Sequence, residues 1–320
     1  MAAETSEQAS LLSKPSDTSA NPQKSQIRLY YELNRLHKFP AGSILVFWPC
    51  AWALAMVAYR TSMEPTESLL RFLFYAFAST LVHSTACVIN DICDRDFDRL
   101  ERTKTRPLAS GAISMKGAII CLLLQLATCI AILSCVNSTF EFAVGFFGIF
   151  PLHGLYPLMK RYTNWPQAWL GLTMNWGFVV VWVILFPSND YIIPAVFFTG
   201  TICWTMVYDT IYGCQDKKDD AKAGVKSTSL LFGDYIRQIL SLFACGFVGG
   251  IAYAGYLNQQ GWPYYVISVG GTSLHLLWQL GTLKPNIPAD CWEKFTSNGN
   301  LGLITFAGMV ADYLRVSPQL

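Results

Sequence analysis

The sequence has 320 residues, of which 52% are hydrophobic and 14% are charged, and its formal net charge is +2. Soluble domains carry about 25% charged residues, and the apolar residues here stand in long runs rather than in alternation. These features exclude an ordinary soluble domain and predict an all-α, polytopic membrane protein in contact with lipid. We expect no nucleic-acid partner and no obligate protein partner. The ten cysteines lack metal-ligand spacing, so we expect free thiols.

The chain begins with a polar stretch, residues 1–27, that contains no aromatic residue and is rich in Ser, Ala, Thr and Gln. Such a composition predicts a disordered tail. The stretch has no arginine, carries Glu4, Glu7 and Asp17, and lacks an apolar core. These features argue against a mitochondrial presequence and against a signal peptide. We expect residues 28–320 to form a single transmembrane domain.

Nine apolar runs are long enough to cross a bilayer, which requires about 17–25 residues each. They cover residues 43–59, 69–89, 115–134, 139–158, 168–187, 192–212, 237–256, 262–282 and 298–314. With a cytoplasmic N-terminus, all Lys and Arg residues except Arg60, Arg71 and Arg315 fall on the inner side. This bias supports the orientation and predicts that the polar loops form a cytoplasmic cap.

A first polar cluster directly follows the second apolar run and begins at Asn90. At helical periodicity Asn90, Asp94 and Asp98 lie at i, i+4 and i+8, on one face, with Asp91 and Asp96 between them. Clustered carboxylates are typical of divalent-cation sites. Basic residues suited to a phosphate follow, namely Arg99, Arg102, Lys104 and Arg106. The simpler alternative is a solvated loop after a membrane span.

A second polar cluster closes the sixth apolar run. Asp209 and Asp216 are seven residues apart, and Asp216 and Asp220 are four apart, so a continuing helix would bring all three onto one stripe. Lys222 and Lys226 follow. Two such clusters on the same side of the membrane indicate a site for two divalent cations with a diphosphate between them. The pair is a stronger signal than either cluster alone.

Several segments resemble one known family. Residues 90–98 match the pattern NDxxDxxxD, and residues 208–228 read YDTIYGCQDKKDDAKAGVKST. These resemble the two aspartate-rich motifs of the UbiA superfamily of intramembrane aromatic prenyltransferases. The segment 35–42, RLHKFPAG, is similar to that family's RLDKPxG, and residues 156–161, YPLMKR, also fit. The resemblance extends from about residue 28 to the end.

The resemblance implies a nine-helix bundle around a central cavity, in which Mg²⁺ and an isoprenyl diphosphate bind beneath a polar cap. An electron-rich aromatic acceptor then attacks the prenyl cation, and a base removes the ring proton. In this family the catalytic aspartates would be Asp94, Asp98, Asp216 and Asp220. The metal-binding set would be Asn90, Asp91, Asp94, Asp98, Asp209, Asp216 and Asp220, with Asp91 and Asp209 supporting. The diphosphate would contact Lys104, Arg106, Tyr156, Lys160 and Lys226. The aromatic acceptor would contact Arg35 and Lys38.

The chain departs from the family pattern in the segment expected near the acceptor. Position 37 is His rather than Asp, and Phe39-Pro40-Ala41-Gly42 is one residue longer than KPxG. The segment 35–49, RLHKFPAGSILVFWP, resembles a fungal branch that farnesylates phenolic, polyketide-derived acids in meroterpenoid biosynthesis, in the endoplasmic reticulum. The alternative within the family is a 4-hydroxybenzoate polyprenyltransferase of ubiquinone biosynthesis.

Other classes of protein fit the sequence less well. A cation-coupled transporter would carry acidic residues near the bilayer midplane, whereas the two clusters lie at the ends of apolar runs. A membrane terpene cyclase would not need the paired aspartate motifs that this sequence carries. A catalytically inactive scaffold would not need every expected metal and phosphate ligand, and all of them are present here. His83 and His275 are expected to form packing hydrogen bonds between helices, and His153 receives no role.

Overall fold

The computed structural model describes residues 24–99, 103–187, 191–217, 224 and 226–316. Within these residues the chain forms helices and no strand. The α-helices are α1 (Gln26–Leu33), α2 (Ser43–Thr61), α3 (Pro65–Asp98), α4 (Met115–Leu133), α5 (Thr139–Phe147), α6 (His153–Tyr162), α7 (Pro166–Leu185), α8 (Ile192–Gly213), α9 (Thr228–Leu231), α10 (Ile236–Leu257), α11 (Gly271–Thr282), α12 (Pro288–Thr296) and α13 (Asn298–Val316). Short 3₁₀ turns cover Leu36–Lys38 and Gly233–Tyr235, and π-helical segments cover Gly148–Leu152 and Tyr264–Gly270. Residues 1–23 of the predicted tail lie outside the described residues, and α1 already begins at Gln26.

Seven helical segments among the described residues are long and apolar enough to cross a membrane. They cover Ser43–Thr61, Pro65–Asp96, Met115–Leu133, Thr139–Tyr162, Pro166–Leu185, Ile192–Gly213 and Gly233–Leu257. The prediction of an all-α, multi-pass membrane protein is confirmed. The first seven predicted spans coincide with these segments.

The last two predicted spans coincide with helices that are more polar than the other seven. Tyr264–Gly270 runs directly into α11, and α13 is the last helix of the described chain. Their polar side chains pair with one another inside the protein. The Thr272 and Thr305 hydroxyls are 2.7 Å apart, and the Ser268 hydroxyl donates to the Thr305 carbonyl. Because these groups are satisfied internally, the two helices tolerate polar residues that lower their hydropathy. A count of nine spans therefore remains a prediction.

The core forms around α2, which is buried over nearly its whole length. It packs against α3, α7 and α13. The Trp52 indole, which is fully buried, donates to the Gly302 carbonyl at 3.1 Å, and the Trp48 indole donates to the Gly299 carbonyl at 3.0 Å. A Cβ at position 302 would lie 2.0 Å from Trp48 Cδ1. The glycine therefore lets α13 approach the tryptophan face of α2.

Helices α5 and α6 form one membrane-spanning segment with a kink at Gly148–Leu152. Pro151 lies in that turn, and a proline removes one backbone donor from the helical ladder. Indole groups of α7 satisfy carbonyls on either side of the kink. Trp169 donates to the Leu152 carbonyl and Trp176 to the Val144 carbonyl, both at 2.8 Å. Packing against α7 therefore stabilises this turn.

Candidate active site

The first polar cluster is helical, as its spacing predicts. Helix α3 continues to Asp98, so Asn90, Asp94 and Asp98 lie on one face of its last turns. The aspartate side chains at this end of α3 differ in their exposed fractions. The side chain of Asp96 is 86% exposed, whereas that of Asp94 is 17% exposed and that of Asp91 is 1% exposed. Asp96 is therefore the solvated member, and the others face the protein.

Asp91 holds two arginines that are distant in sequence. Its Oδ1 lies 2.5 Å from the Arg35 guanidinium and 3.2 Å from the Arg106 guanidinium. Arg35 also donates to the carbonyls of Glu32 and Leu33 at the end of α1. Its guanidinium therefore joins the N-terminal segment to α3. Several N–H donors of Arg35 are therefore already used in bonds within the protein. The predicted contact of Arg35 with an aromatic acceptor stays a prediction.

Asp98 is also paired within the protein. Its Oδ2 accepts from Arg106 at 2.7 Å, and its Oδ1 accepts from the Thr103 hydroxyl at 2.8 Å. Burial acts to lower the pKa of Arg106, but the carboxylates of Asp91 and Asp98 outweigh it, so the pKa is raised and the guanidinium stays charged. In this arrangement both oxygens of Asp98 are occupied, so a metal ion would have to displace one of these contacts.

Asp94 and Asp209, one from each cluster, both interact electrostatically with Lys160. The Lys160 ammonium, from the end of α6, interacts electrostatically with the Asp94 carboxylate of α3 and the Asp209 carboxylate of α8. It lies 5.9 Å from the centre of the Tyr156 ring, one helical turn earlier. One residue of each aspartate cluster, Lys160 and Tyr156 therefore converge, as the sequence predicts.

The second cluster is shaped differently from the predicted stripe. Helix α8 ends at Gly213, and the backbone N–H groups of Gln215 and Asp216 donate to Tyr212 and Gly213 in a turn. The helix thus stops before Asp216, so Asp209 and Asp216 do not share one continuous helix. Asp220 lies outside the described residues, as does Lys222.

The segment after the second cluster lies beside Lys160. The Lys226 N–H donates to the Lys160 carbonyl at 3.1 Å. Two hydrogen bonds hold Thr228, two residues further along the chain. The Thr228 N–H donates to Gln167 Oε1 at 3.0 Å, and the Thr228 and Thr210 hydroxyls are 2.6 Å apart. The backbone of Lys226 is thus close to Lys160, another residue of the predicted diphosphate-binding set, although the Lys226 side chain is exposed.

Two of the predicted basic residues lie at the exposed edge. Lys104 is exposed in the loop between α3 and α4, and Lys38 is exposed at the end of the 3₁₀ turn Leu36–Lys38. Two further residues of the same region were not predicted from the sequence. Arg161 lies 3.8 Å from the Asp94 carboxylate, and Tyr212 interacts with both Lys160 and Arg106. Adjacency to Lys160 in the YPLMKR segment was the available signal for Arg161.

An apolar cavity of about 540 Å³ lies among α2, α3, α4, α7 and the segment Gly148–His153. On α3 its wall runs from Leu70 to Val82, two turns before Asn90, and on the kinked segment it includes Gly148 and His153. The side chains of Leu70 and Phe74, which belong to this wall, are 63% and 46% exposed on the outer surface of the protein. The cavity wall therefore reaches the exposed side of α3 at one end, and at the other it stops about two helical turns before Asn90 and Lys160.

No group of three or more His, Cys, Asp or Glu side chains within the described residues is already arranged to hold a metal ion. The oxygen donors closest to such an arrangement are those of the two clusters. Asp94 pairs with Arg161 at the long distance of 3.8 Å, and both Asp94 and Asp209 interact electrostatically with Lys160. One carboxylate of each cluster therefore interacts with Lys160, which lies two helical turns beyond His153 of the cavity wall.

Residues 46–304 match the family model for the UbiA prenyltransferase family. The chain belongs to this family. It is similar to a UbiA prenyltransferase, claS, of Ampulloclitocybe clavipes, with 46% identity over 90% of this chain and 92% of that protein. It is also similar to the mitochondrial 4-hydroxybenzoate polyprenyltransferase of Caenorhabditis elegans, with 41% identity over 90% of this chain and 79% of that protein.

Solved structures agree in fold. A UbiA homologue from Aeropyrum pernix has a TM-score of 0.69 at 22% identity and covers 84% of this chain and 97% of its own. A homologue from Archaeoglobus fulgidus, solved with DMAPP and Mg²⁺, has a TM-score of 0.64 at 18% identity over 90% and 99% of the two chains. The chain therefore has the UbiA fold. Membership in this family of transferases makes it an enzyme and disfavours a transporter.

Proposed function

We propose that this UbiA-family enzyme transfers a farnesyl group from its diphosphate to a phenolic, polyketide-derived aromatic acceptor in meroterpenoid biosynthesis, with Mg²⁺ as cofactor. The observation that carries the proposal is the position of Lys160. Its ammonium interacts electrostatically with the carboxylates of Asp94 and Asp209, and His153, two helical turns earlier on the same helix, belongs to the wall of an apolar cavity. This juxtaposition suits a ligand with a highly charged head and a long apolar tail.

The donor set fits Mg²⁺, which prefers oxygen ligands and commonly combines one or two carboxylates with substrate phosphates. Asn90, Asp94 and Asp209 offer amide and carboxylate oxygens, and the ion pair of Asp94 with Arg161 is long, at 3.8 Å. Asp216 would complete the set, together with Asp220 outside the described residues. Bound Mg²⁺ would neutralise the negative charge that develops on the leaving diphosphate.

The basic residues of the chain would bind the diphosphate itself. Lys160 would donate to its oxygens beside Tyr156, and Lys226, whose backbone is bonded to Lys160, would approach from the capping loop. Lys104 would contribute from the exposed edge. Arg106 would act mainly by holding Asp91 and Asp98, because its guanidinium is bonded to both. Ionisation of the allylic C–O bond then leaves a cation that the apolar cavity shields from water.

The cavity favours a short prenyl chain. Its wall spans about 18 Å along α3, from Leu70 to Val82, at 1.5 Å per residue. An isoprene unit adds four chain bonds, so it extends roughly 4–5 Å, scaled from 3.3–3.6 Å for the three backbone bonds of a residue. A farnesyl chain of three units would thus span about 13–15 Å and fit within the wall. A much longer chain would have to leave between Leu70 and Phe74.

The second candidate is transfer of a polyprenyl chain to 4-hydroxybenzoate, as in ubiquinone biosynthesis. It is supported by the similarity to proteins named 4-hydroxybenzoate polyprenyltransferase. Both candidates share the diphosphate chemistry and differ in the acceptor and in chain length. In either case Arg35 and Lys38 are the proposed contacts for an acidic acceptor, although Arg35 is also bonded to Asp91.

The test uses membranes from cells that express the full chain, supplied with Mg²⁺ and farnesyl or a longer polyprenyl diphosphate. Each donor is paired with 4-hydroxybenzoate or an orsellinic-type acid. Asp94→Asn and Asp209→Asn should lower turnover by about 100-fold or more, as should EDTA. Asp96→Asn is the matched control, because Asp96 is an exposed carboxylate on the same helix end.

The outcomes separate the candidates. A farnesylated orsellinic-type product supports the proposal, whereas product only from 4-hydroxybenzoate with longer donors supports the second candidate. No aromatic product from any pair, in protein that is folded, contradicts both.

Cytoplasmic orientation of the two clusters and residence in the endoplasmic reticulum belong to the same proposal. Cysteine labelling from each side of sealed vesicles and separation of microsomes from mitochondria would test them.

A further inference from the structure

We infer that His153 is a catalytic base of the proposed prenyl transfer, and that it removes the ring proton from the aromatic acceptor. The inference rests on the proposed function, which requires such a step. When the prenyl carbon bonds to the ring, the ring carbon keeps its hydrogen and the ring becomes a cation. Loss of that proton restores aromaticity, so a nearby lone pair must accept it.

The protonation of His153 is fixed by its backbone partner. Its Nδ1 lies 2.7 Å from the Gly148 carbonyl. A carbonyl only accepts hydrogen bonds, so Nδ1 carries the proton and donates. Nε2 therefore holds a lone pair. That nitrogen is buried and has no hydrogen-bond partner. Buried polar atoms without partners are uncommon in folded proteins, and each calls for an explanation such as a ligand.

The position of His153 matches the reacting centre. It belongs to the wall of the apolar cavity, one helical turn before Tyr156 and two turns before Lys160. Along α6 this separation is about 10 Å from His153 to Lys160. With the diphosphate at Lys160 and the prenyl tail in the cavity, the first carbon of the chain would lie between them. The new carbon–carbon bond would then form beside the imidazole.

The other titratable side chains of the cavity wall do not offer a comparable base. Within the described residues these side chains are Arg71, Tyr75, Cys50, Cys129 and Cys135. Guanidinium, phenol and thiol groups hold their protons near neutral pH, so none of them accepts a further proton readily. The carboxylates of the two clusters lie outside this wall and are assigned to the metal ions. A neutral imidazole is the suitable acceptor.

The step balances without a further reagent. The ring π electrons form the bond to the prenyl carbon, and the diphosphate has left with the electron pair of the C–O bond. The ring C–H bond then breaks, its electrons restore the aromatic ring, and the proton forms an N–H bond at Nε2. The resulting imidazolium returns its proton to the diphosphate as the products leave.

His153 also has a structural bond, so the experiment must keep that bond intact. His153→Asn is the discriminating variant, because an asparagine Nδ2–H group can replace the Nδ1–H donor to the Gly148 carbonyl while the Nε2 lone pair is lost. Trp169→Phe is the matched control. It removes the indole donor to the Leu152 carbonyl in the same kinked turn and leaves the imidazole in place.

The measurement compares full-length wild-type and variant proteins in membranes, with farnesyl diphosphate, Mg²⁺ and an acceptor that the wild type prenylates. Aromatic product, farnesol and diphosphate release are followed, with protiated acceptor and with acceptor deuterated at the attacked carbon. In His153→Asn we expect aromatic product to fall by about 100- to 10,000-fold. Diphosphate release should continue, farnesol should replace the missing product, and deuterium should slow product formation more than in wild type. Trp169→Phe should keep the wild-type isotope effect.

Three results would overturn the inference. One is wild-type turnover with an unchanged isotope effect in His153→Asn. Another is parallel loss of aromatic product and diphosphate release, which indicates a structural role. The third is the same enlarged isotope effect in Trp169→Phe. A wild-type protein that releases diphosphate but prenylates no aromatic acceptor would instead contradict the proposed function, and the role of His153 would fall with it.

Discussion

Replacement of Arg106 by glutamine should destabilise the polar end of α3 because it breaks two buried ion pairs at once. The guanidinium lies 2.7 Å from Asp98 and 3.2 Å from Asp91, and the two carboxylate side chains are 8% and 1% exposed. Asp91 would keep Arg35, and Asp98 would keep the Thr103 hydroxyl. Asp98 would therefore lose its only cationic partner among the described residues.

The expected loss of stability in Arg106→Gln follows from how far the paired side chains are buried. Removal of one partner from a buried ion pair costs about 3–5 kcal/mol, but the Arg106 side chain is 29% exposed. Solvent screening lowers the expected cost to about 2–3 kcal/mol. At roughly 2–4 °C per kcal/mol, the apparent melting temperature should fall by roughly 5–10 °C. Addition of Asp98→Asn should recover part of this loss, because it removes the carboxylate that the first change leaves unpaired.

Thermal unfolding in detergent micelles, followed with a thiol-reactive fluorophore, provides the assay. Cys50, Cys129, Cys214 and Cys291 are free and buried, so they react as the protein unfolds. The control is a second double-mutant cycle with Asp96→Asn and Arg99→Gln, a pair 3.8 Å apart whose carboxylate is 86% exposed. Its coupling should be below about 0.5 kcal/mol. Equal coupling in the two cycles, or additive effects of Arg106→Gln and Asp98→Asn, would refute the reasoning.

Three further predictions concern packing, pH and activity. Gly302→Ala should lower the melting temperature by several degrees in the same assay, because the added Cβ would lie 2.0 Å from Trp48. A hydrogen bond from the Lys24 ammonium lowers the pKa of Glu32 despite partial burial, so this contact should stabilise α1 above about pH 4.5 and be lost as the pH falls through the lowered value. Hydrogen exchange of α1 measured against pH tests this. Lys160→Gln should lower prenyl-transfer turnover by about 100-fold or more, measured with the assay of the proposed function.

Each of these changes has a control. Gly249 is an exposed helical glycine with no atom within 4 Å of an added Cβ, so Gly249→Ala should be neutral or stabilising. Glu32→Gln should make exchange of α1 insensitive to acid in the same pH range. Lys104→Gln should lower turnover far less than Lys160→Gln, because Lys104 is exposed in its loop. A loss in Gly249→Ala equal to that in Gly302→Ala, an acid response that persists in Glu32→Gln, or equal losses at the two lysines would contradict these arguments.

The features that depend on local spacing could be predicted from the sequence. The apolar runs predict the helices, and the i, i+4, i+8 spacing places Asn90, Asp94 and Asp98 on one face, because helix geometry relates residues a few positions apart. The convergence of the two aspartate clusters was also predictable, since both end apolar runs on the same predicted side. The observation behind it is the electrostatic interaction of Lys160 with both Asp94 and Asp209.

The pairing of particular charges could not be predicted in this way. Asp91 binds Arg35, which is 56 residues away, and periodicity gives no information about such a partner. The end of α8 at Gly213 was missed because the polar residues that follow are compatible with either a turn or a helix. The unpaired Nε2 of His153 was also not predictable. His153 is bonded to the Gly148 carbonyl of the turn Gly148–Leu152, and tryptophans of α7 bond to carbonyls around that turn, so the arrangement exists only once α7 packs against this segment.

The two ends of the cavity open toward different surroundings, and this has a kinetic consequence. The wall reaches the exposed side chains of Leu70 and Phe74 on α3, while its other end, at His153, lies two helical turns from Lys160 and the charged groups around it. In the proposed reaction a prenylated product would partition into the bilayer, and diphosphate would be released into water. The two products would then inhibit the enzyme independently. Diphosphate would compete in bulk solution, whereas the apolar product would compete according to its surface density in the membrane, so turnover would vary with the ratio of lipid to protein.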